Sequence, residues 1–462
     1  MEDKNITMAR AVAAAVQKAG GRTYYVGGCV RDRLLGRETK DIDIEVHGIP
    51  PAALEEILQS LGEPMTMGAS FGIMGLRHYE LDIAMPRSEQ ATGRGHRDFA
   101  VFVDPFLGEQ KAARRRDFTI NAMMEDVLTG ELLDFFGGRE DIARRRIRHV
   151  DDNSFGEDPL RVFRAAQFAA RFDFSVAPET TAISAGMQVD ALAGERVMGE
   201  LEKALQKAER PSAFFRELRK MEQLSVWFPE LEALIGVEQS PDHHPEGDVW
   251  THSLQVLDEA ARLRGQACRP LWFMLSALCH DMGKPAVTEK RNGVIHAYAH
   301  ETEGLPLVQT FLHRLTGEVK LVEYVLNMTR LHMEPNMIAG QTDRIGPYMK
   351  LYDRSVCPED LLLLAKADNM GRLGPGMERR TLAGPYEKTE AKLRSMLDLY
   401  HERMARPYLM GRDLILAGLE PGEWFAPALA YAHKLRLAGL SKEEQLRQTL
   451  AYIRKEEREK SK

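Results

Sequence analysis

The stretch TYYVGGCVRDRLLGRETKDIDIEV, residues 23–46, holds the pattern that decides the fold of the first part of the chain. Its β-branched and aromatic start predicts a strand that runs into Gly27 and Gly28, and a short helix follows. Two glycines let the backbone approach a phosphate closely, and free N–H groups at a helix start point toward such an anion. Arg31 lies on the first turn of the predicted helix, so we expect its guanidinium to reach the same anion.

A second predicted strand, at the end of the same stretch, carries Asp41 and Asp43. Residues two apart on a strand share a face, so we expect both carboxylates to point the same way. Mg²⁺ prefers oxygen ligands and shares its coordination shell with substrate phosphates. The pair therefore predicts a magnesium-dependent nucleotidyl-transfer site, in which two ions activate a 3′-hydroxyl and stabilise the leaving pyrophosphate. Asp82, on another strand-like stretch, is either a third carboxylate of this site or an ordinary strand-end or ion-pair residue.

Composition and charge restrict the class of protein. The 462 residues suggest about three domains at ~150 residues each. A hydrophobic fraction of 44% with 28% charged residues is typical of globular proteins. The net charge of -7 argues against a surface coated by nucleic acid but permits a local basic track. Two basic clusters, residues 111–116 and 139–148, either bind phosphates or form solvated helix faces.

The cysteine usage and the apolar stretches bear on the compartment. The four cysteines are scattered and form no CxxC pair, which argues against a disulfide framework and against a cysteine-based zinc site. The alanine-rich start predicts an amphipathic helix rather than a signal peptide. No apolar stretch approaches the ~18 residues of a membrane span. We therefore expect a cytoplasmic protein without membrane segments.

Strand-like and helical patterns alternate up to about residue 150, and nearly all later patterns are helical. This change predicts an α/β domain followed by all-α domains. Stretches rich in Pro, Gly, Asp or His at residues 240–248 and 372–385 are the expected linkers.

Four motifs in the first half of the chain resemble, in order and spacing, those of class II CCA-adding enzymes and bacterial poly(A) polymerases. These enzymes belong to the nucleotidyltransferase superfamily that includes polymerase β. The motifs are GGCVRDRLLGRETKDIDIEV (27–46), RRRDFTINAMM (114–124), DFFGGREDIARRRIRHV (134–150) and EDPLRVFRAAQFAARF (157–172). The resemblance implies a polymerase β-like mixed sheet and template-independent addition of C, C and A to the 3′ end of tRNA from CTP and ATP. The alternatives are a poly(A) polymerase and an enzyme that adds only CC or only A.

The resemblance also implies that the helix bearing Glu157, Asp158 and Arg161 acts as a protein template for the incoming base. Cytosine and adenine both offer an exocyclic amine beside an acceptor ring nitrogen, which a carboxylate and a guanidinium can bind. Uracil and guanine present a carbonyl and a ring N–H instead, and each buried group left unpaired costs ~1–3 kcal/mol. Taken without the other motifs, Asp158 and Arg161 would be a surface salt bridge one helical turn apart.

Three further residues are expected at the nucleotide. The resemblance implies that Arg116 contacts the triphosphate or the sugar, that Asp117 binds a ribose hydroxyl or orients Arg116, and that Arg164 binds a phosphate. Gln167 stands where the family often has another arginine, so one charge-based nucleotide contact is missing there. The glycine-rich stretch ATGRGHRD (91–98) is expected to be a mobile loop near the site. In the resembled enzymes such a loop helps to switch from C to A, and its presence favours complete CCA addition.

The second half of the chain carries histidines and aspartates in the order H…HD…D, which resembles the HD-domain metal phosphohydrolases. Imidazoles and carboxylates together suit a transition metal such as Mn²⁺, Ni²⁺, Co²⁺ or Fe²⁺. The resemblance implies hydrolysis of 2′,3′-cyclic phosphates or 2′-phosphates on RNA ends, although some family members keep the fold without activity. The expected ligands are His252, His280, Asp281 and Asp368, with His300 and His332 as candidates for a second metal position.

The stretch LMGRDLILAGLEPGEWFAPALAYAHKLRLAGLSKEEQL (409–446) resembles the carboxy-terminal helices of the same enzymes. We interpret it as a tRNA contact made mainly through phosphates, or else as a plain helical packing module. An alternative of another class makes the HD domain the enzyme and the first domain an RNA-binding module. The expected domains are a nucleotidyltransferase head (1–146), a helical nucleotide-selecting and RNA-binding neck (147–239), an HD domain (240–375) and a helical tail that contacts tRNA (376–462).

Overall fold

The computed structural model describes residues 4–39, 41–66, 74–91 and 99–460. The chain divides into two compact units. The first contains Met1–Ala204 and Ala213–Trp227, and the second contains Leu205–Ser212 and Phe228–Lys462. The finer division into four domains stays a prediction.

The first unit is built around a mixed β-sheet. Its described strands are β1 (Arg22–Val26), β2 (Ile42–His47), β3 (Pro64–Thr66), β4 (Met74–Leu76), β5 (Leu81–Ala84), β6 (Arg87–Ala91), β7 (Phe99–Val103), β8 (Met124–Asp126), β9 (Leu132–Leu133), β10 (Arg146–Ile147) and β11 (Ser175–Val176). Seven of them form one sheet in the order β3-β4-β5-β2-β1-β8-β9. Within it β1 is antiparallel to β2 and to β8, whereas β2 is parallel to β5. The predicted fold class, a mixed-sheet α/β head, is confirmed.

Helices pack against this sheet and continue beyond it. They are α1 (Lys4–Lys18), α2 (Gly28–Leu34), α3 (Pro51–Leu61), α4 (Glu109–Arg114), α5 (Gly138–Ala143), α6 (Asp152–Gly156), α7 (Leu160–Phe172), α8 (Pro178–Ala185), α9 (Gly194–Lys207), α10 (Ser212–Lys220) and α11 (Leu224–Trp227). The buried residues of α1 recur at helical spacing and form one apolar stripe. They are Ala9, Val12, Ala13 and Val16, and they join a core that includes Ile44 and Val46 of β2 and Leu54 and Leu58 of α3.

Helix α7 covers the residues whose helical spacing is plain in the sequence. Its apolar face, which includes the fully buried Phe163, packs into the first unit. The helix ends at Asp173, whose φ of 56° puts it in the left-handed conformation typical of a residue that follows a helix. Because the apolar face of the helix is buried, Arg161 and Arg164 on another side of the helix contact polar groups of the first unit.

The second unit is helical apart from one short hairpin. Its described elements are α12 (Pro229–Glu232), α13 (Val249–Leu263), α14 (Pro270–Cys279), α15 (Lys284–Val287), β12 (Glu289–Arg291), β13 (Val294–His296), α16 (His300–Glu303), α17 (Leu305–Leu315), α18 (Val319–Leu331), α19 (Glu334–Gln341), α20 (Ile345–Arg354), α21 (Pro358–Met370), α22 (Arg380–Ala405), α23 (Gly411–Leu416), α24 (Phe425–Leu437) and α25 (Lys442–Lys460). None of the described helices is both long enough and apolar enough to cross a membrane.

Helix α22 begins inside the predicted linker 372–385. Pro385 lies within the helix, where it removes one backbone hydrogen bond near the amino-terminal end. The buried side chains Tyr386, Leu393 and Leu397 anchor the helix against its neighbours. Tertiary packing thus outweighs the local Gly and Pro signals, and only the part before Arg380 is a connection.

Candidate active sites

The Gly27–Gly28 turn places a positive and a negative side chain beside the end of β1. Gly27 has φ 67°, in the left-handed region that favours glycine. A Cβ on Gly27 would lie 3.1 Å from Nη1 of Arg116 and 3.8 Å from Oδ2 of Asp43. The missing side chain at Gly27 therefore leaves room between a guanidinium and a carboxylate, where a phosphate and its metal can approach the backbone.

Three aspartates lie on or beside two adjacent interior strands of the sheet, β2 and β5. Asp41 is exposed and lies just before β2, which begins at Ile42 rather than at Asp41, and Asp43 is the second residue of that strand. Asp82 on β5 is the register partner of Asp43. Burial raises the pKa of Asp43, and the charges of Asp82 and Asp41 raise it further, whereas Arg116 lowers it. Crowded carboxylate oxygens are the donor set that Mg²⁺ prefers, so these residues fit the predicted metal.

Glu45 continues the same face of β2 and holds Arg116. The Nη2 of Arg116 lies 3.3 Å from Oε2 of Glu45, and Nε2 of His47 lies 2.9 Å from Oε1. Burial alone would raise the pKa of Glu45, but the hydrogen bond with His47 and the charge of Arg116 bring it below its usual value. Sequence reasoning missed Glu45, although the two-residue alternation Asp41, Asp43, Glu45 was the available signal.

Asp117 is the centre of a buried polar network. Its Oδ1 accepts a hydrogen bond from Nδ2 of Asn121 at 3.0 Å, and its Oδ2 accepts one from Nε of Arg164 at 2.8 Å. The Oδ1 of Asn121 in turn accepts one from Nη1 of Arg31 at 2.6 Å. Burial would raise the pKa of Asp117, but the charge of Arg164 and the hydrogen bonds lower it. The network joins three residues that the sequence predicts at the nucleotide: Arg31, Asp117 and Arg164.

Arg31 is more deeply buried than the sequence predicts. It is 4% exposed, its Nε donates to Oδ1 of Asp32 at 2.8 Å, and its guanidinium lies 4.7 Å from the centre of the Phe172 ring. It still borders the turn, because a Cβ on Gly28 would lie 3.4 Å from its Nη2. The role of Arg31 at a phosphate stays a prediction.

Gln167 on α7 is also buried, and its Nε2 has no hydrogen-bond partner among the described residues.

The residues that the resemblance implies for base selection lie at and just before the start of α7. The sequence places Glu157 and Asp158 on the same helix as Arg161, but both precede it, because the helix begins only after its N-cap Pro159. Oδ1 of Asp158 accepts a hydrogen bond from the backbone N–H of Leu160 at 3.1 Å, and Oδ2 lies 3.0 Å from Nη2 of Arg196. Arg161 donates to the backbone carbonyls of Ser154 and, at 3.1 Å, Arg115. Arg196, on α9, was not found from the sequence. Glu157 is exposed at the end of α6, and the loop predicted at 91–98 lies almost entirely outside the described residues.

In the second unit, the predicted histidines and aspartates converge in two sets. In each set, the ligand atoms of the three residues lie within 4.8 Å of one another, and all six residues are buried. The sets are His252, His280 and Asp368, and Asp281, His300 and His332. The structure therefore brings together every residue that the sequence proposed for the two metal positions.

Asp281 connects the two sets. Its Oδ2 lies 3.2 Å from Nε2 of His280, and its Oδ1 lies 3.2 Å from Nε2 of His300. One carboxylate thus faces both histidine sets with different oxygens, so Asp281 would belong to the ligands of a metal held by either set.

The ring nitrogens of three histidines are arranged for metal binding. Nδ1 of His280, His300 and His332 lies 2.7–2.8 Å from the backbone carbonyl three residues earlier in each case. A carbonyl only accepts, so each Nδ1 carries a proton, and Nε2 is the nitrogen that each ring would offer to a metal. Such an outer hydrogen bond is the usual support of a metal-binding histidine. The donor set therefore fits a transition metal.

Glu246 supports His252 from the side away from these sets. Its Oε1 lies 2.7 Å from Nδ1 of His252 and 2.9 Å from Nδ1 of His244. Burial would raise the pKa of Glu246, but its hydrogen bonds with His244 and His252 lower it to about 2. Glu246 is therefore ionised and directs Nε2 of His252 toward the other ligands. Sequence reasoning missed it, because no spacing pattern connects it with the HD pair.

Comparison with protein families identifies both regions. Residues 23–148 match the Poly A polymerase head domain, and residues 249–372 match the HD domain. The aspartates near Gly27 and the Asp117 carboxylate lie in the first match, and both histidine sets lie in the second. The candidate residues on α7 and α9 lie between the two matches.

Full-length relatives are similar over most of the chain. The multifunctional CCA protein of Nitrosococcus oceani is 38% identical over 417 residues, which cover 88% of this chain and 95% of that protein. The multifunctional CCA protein of Xanthomonas campestris pv. campestris is 36% identical over 439 residues, which cover 92% of this chain and 100% of that protein.

Solved structures share the fold. An apo form of a CCA-adding enzyme superposes with a TM-score of 0.67 at 20% identity and covers 98% of this chain and 96% of its own. The Thermotoga maritima CCA-adding enzyme complexed with tRNA_CCA has a TM-score of 0.63 at 20% identity, with the same coverage of 98% and 96%. The resemblance inferred from the motifs is confirmed, and the chain belongs to the family of class II CCA-adding tRNA nucleotidyltransferases and bacterial poly(A) polymerases, among the members that also carry an HD domain.

Proposed function

We propose that the protein adds C, C and A to the 3′ end of tRNA, using CTP and ATP and no nucleic-acid template. The observation that carries the proposal is the meeting of Asp41, Asp43 and Asp82 beside the Gly27 turn, because carboxylates next to a phosphate-binding turn are what nucleotidyl transfer requires. The names of the full-length relatives support CCA addition over other transfers.

Different residues of the head contribute to different parts of the reaction. The three aspartates would hold Mg²⁺, which neutralises the charge of the triphosphate and of the attacking 3′-oxygen. The 3′-oxygen of the RNA forms a bond to the α-phosphorus, the bond to the bridging oxygen breaks, and pyrophosphate leaves. Arg116, held by Glu45 beside Gly27, contacts the triphosphate. Asp117 and Arg164 form the polar floor for the sugar and phosphates.

Base selection would fall to Asp158 and Arg161. The carboxylate of Asp158 accepts from the exocyclic amine of cytosine or adenine, and Arg161 donates to the neighbouring ring nitrogen. Arg196 already contacts Asp158 and would keep its carboxylate oriented. Arg161 donates to two backbone carbonyls, which hold the guanidinium in place. A guanidinium has five N–H donors, so donation to a base does not require the loss of these two bonds.

Nucleotide addition to defined tRNA ends tests this proposal. The protein would be incubated with tRNA lacking CCA, and with tRNAs ending in C and in CC, with labelled CTP and ATP supplied separately and together. We expect two C residues from CTP alone and one A on the CC end from ATP. A run of A on every end would identify a poly(A) polymerase, and growth that stops after CC, or that begins only on CC, would identify a partial enzyme.

A second activity is supported by the position of Asp281, which faces both histidine sets. We propose that the two histidine sets bind two transition-metal ions and hydrolyse 2′,3′-cyclic phosphates or 2′-phosphates of RNA ends. With a cyclic phosphate, water attacks phosphorus, one P–O ester bond breaks, and a monoester remains. His280→Ala with Asp281→Ala should abolish hydrolysis and spare nucleotide addition, and Asp41→Ala with Asp43→Ala should do the reverse. If both double variants lose both activities, the two sites are not independent. Hydrolysis without any addition would instead make the head an RNA-binding module.

A groove lies between the helices of the tail and the helices α19 and α20 that precede it. Helices α19, α20, α22 and α24 enclose a cavity of about 1190 Å³ whose walls include Lys350, Arg354, Arg403 and Lys434. We propose that these side chains contact tRNA phosphates, which position a nucleic acid without reading its sequence.

We also propose a cytoplasmic location. All four cysteines are free thiols, which a reducing compartment favours.

A further inference from the structure

A cavity opens directly onto the two histidine sets of the HD domain. Its volume is about 330 Å³, and its walls include the ligand residues Asp281, His300, His332 and Asp368. This volume lies in the range of small-ligand sites, about 300–1,000 Å³. A molecule in the cavity therefore touches the metal-binding atoms and extends away from them.

The floor of this cavity is suited to an anion. The Nζ of Lys284 lies 2.6 Å from Oδ2 of Asp281, and Nη2 of Arg372 lies 3.2 Å from Oδ2 of Asp368. Both cations line the cavity and are held beside the carboxylates that face the metal positions. A phosphate placed here meets positive charge from the protein as well as from the metal.

The rim of the cavity is formed by the hairpin of β12 and β13, which carries an exposed aromatic ring just after it. Tyr298 is 66% exposed. Its ring is stacked on His296, with ring centres 4.9 Å apart and planes inclined by 12°. The imidazole covers and supports one face of the phenol ring. The large exposed fraction leaves the opposite face free, and both residues line the cavity.

We infer that Tyr298 is a stacking platform for a nucleobase, and that the HD cavity is a nucleotide site. The phosphate occupies the floor between Lys284, Arg372 and the metal ligands, and the base lies on the open face of the phenol ring. The site then selects nucleoside 2′,3′-cyclic phosphates and nucleotide ends of RNA over phosphate esters that lack a base. This inference rests on the hydrolase function proposed above.

Stacking on an aromatic ring tolerates every base, because each base has a π-face. Alanine substitution of such a platform typically weakens binding by about tenfold or more. The platform contacts the base and not the reacting phosphate, so its loss should appear in KM more than in kcat. The His296 ring beneath Tyr298 keeps it in place, which limits the entropy lost on binding.

The experiment compares two cyclic phosphates with the metal-loaded full-length protein. Adenosine 2′,3′-cyclic phosphate carries a base, and glycerol 1,2-cyclic phosphate does not. Tyr298→Ala should raise KM about tenfold for the adenosine ester and change KM for the glycerol ester by less than about twofold. Tyr298→Phe should keep the wild-type values, because stacking needs the ring and not the hydroxyl. Val294→Ala, at an exposed position of the same hairpin, is the matched control.

A binding measurement separates this inference from the hydrolase proposal. 2-Aminopurine riboside 3′-phosphate loses fluorescence when its base stacks, so quenching reports the platform without turnover. We expect quenching with the wild type and with Tyr298→Phe, and its loss with Tyr298→Ala. If the wild type hydrolyses neither ester, the hydrolase proposal fails while quenching still decides the inference. If Tyr298→Ala keeps wild-type quenching, or raises KM equally for both esters, the inference is overturned. Unchanged affinity of each variant for Ni²⁺ or Mn²⁺ verifies that the HD domain is folded.

Discussion

Asp43 on β2 and Asp82 on β5 are register partners on adjacent parallel strands, so their side chains leave the sheet on the same face. The charge of Asp82 contributes to the raised pKa of Asp43, second only to burial. From the sequence alone, Asp82 is either a third carboxylate of the site or an ordinary strand-end residue. The register favours the third carboxylate, because a cation bound by Asp43 lies within reach of the Asp82 charge.

We predict that Asp82→Asn lowers the rate of CTP incorporation into tRNA about a hundredfold, since the loss of one metal-binding carboxylate removes about 3 kcal/mol of transition-state stabilisation. Steady-state rates at saturating CTP and tRNA and increasing Mg²⁺ measure the effect. Glu80→Gln, at an exposed position two residues earlier, is the control and should keep the wild-type rate. An Asp82→Asn protein with the wild-type rate at every Mg²⁺ concentration would place Asp82 outside the site.

We predict that Glu45→Gln raises KM for CTP and ATP by about tenfold, with a smaller effect on kcat, because Glu45 orients Arg116 and does not itself reach the nucleotide. The neutral amide keeps the shape of the side chain but removes the charge that holds the guanidinium. Separate determination of kcat and KM tests the prediction. A fall in kcat alone would mean that Arg116 acts in the chemical step and not in binding.

Arg196 should influence which base is accepted. We predict that Arg196→Ala increases incorporation of UTP relative to CTP by about tenfold, because an Asp158 carboxylate without this partner is free to turn away from the base. Single-nucleotide addition to tRNA lacking CCA, with each nucleotide supplied alone, measures the ratio. Glu195→Ala, at the exposed neighbouring position, should leave selection unchanged. Equal ratios in both variants would assign Arg196 a purely structural role.

The buried pair of Asp117 and Arg164 predicts a pH-dependent contribution to stability. The pKa of Asp117 in the folded protein lies below its unfolded value of ~3.9. Its ionised form therefore stabilises the fold above about pH 4, and this contribution is lost as the pH falls through the folded pKa. We expect Asp117→Asn to lower the free energy of unfolding at pH 7 by about 2 kcal/mol. This is less than the ~3–5 kcal/mol for a fully buried pair, because Arg164 is about a third exposed.

Urea denaturation of both proteins between pH 3 and 7 measures this difference. The difference between wild type and Asp117→Asn should be constant above about pH 5 and should shrink below about pH 4. A difference that grows as the pH falls would show that the carboxylate is not stabilised in its ionised form.

Glu246 should set the metal affinity of the HD domain. We predict that Glu246→Gln lowers the affinity for Ni²⁺ or Mn²⁺ by about 10–100-fold, the usual effect of removing the outer partner of a ligating histidine. Equilibrium dialysis gives the affinity, and phosphate-ester hydrolysis after chelation and titration with metal gives an independent measure. Asp242→Asn, at an exposed position four residues earlier, is the control. Wild-type affinity in Glu246→Gln would mean that His252 is oriented by other contacts.

Local patterns in the sequence are sufficient to predict the helices and strands and the candidate residues that lie on them. Helix α7 follows the apolar periodicity of residues 160–172, since side chains three and four apart share a helix face wherever the helix packs. Its start was predicted too early, because Glu157 and Asp158 precede the helix. The strand with Asp43 and the turn at Gly27 are also predictable, because two-residue alternation and paired glycines are local properties. The fold class and the HD ligand set follow from motifs of the same kind.

Relations between distant segments depend on the tertiary structure. The partnership of Asp43 with Asp82 follows from the register of β2 and β5, and the contact of Glu246 with His252 from the way α13 begins. The position of Tyr298 at the rim of the HD cavity has no sequence signal at all. Periodicity determines which face a residue occupies on its own element, whereas packing of the whole chain decides which face lies opposite. The sequence by itself therefore determined the family, the elements and the chemical groups, and only the tertiary structure decided which of those groups meet.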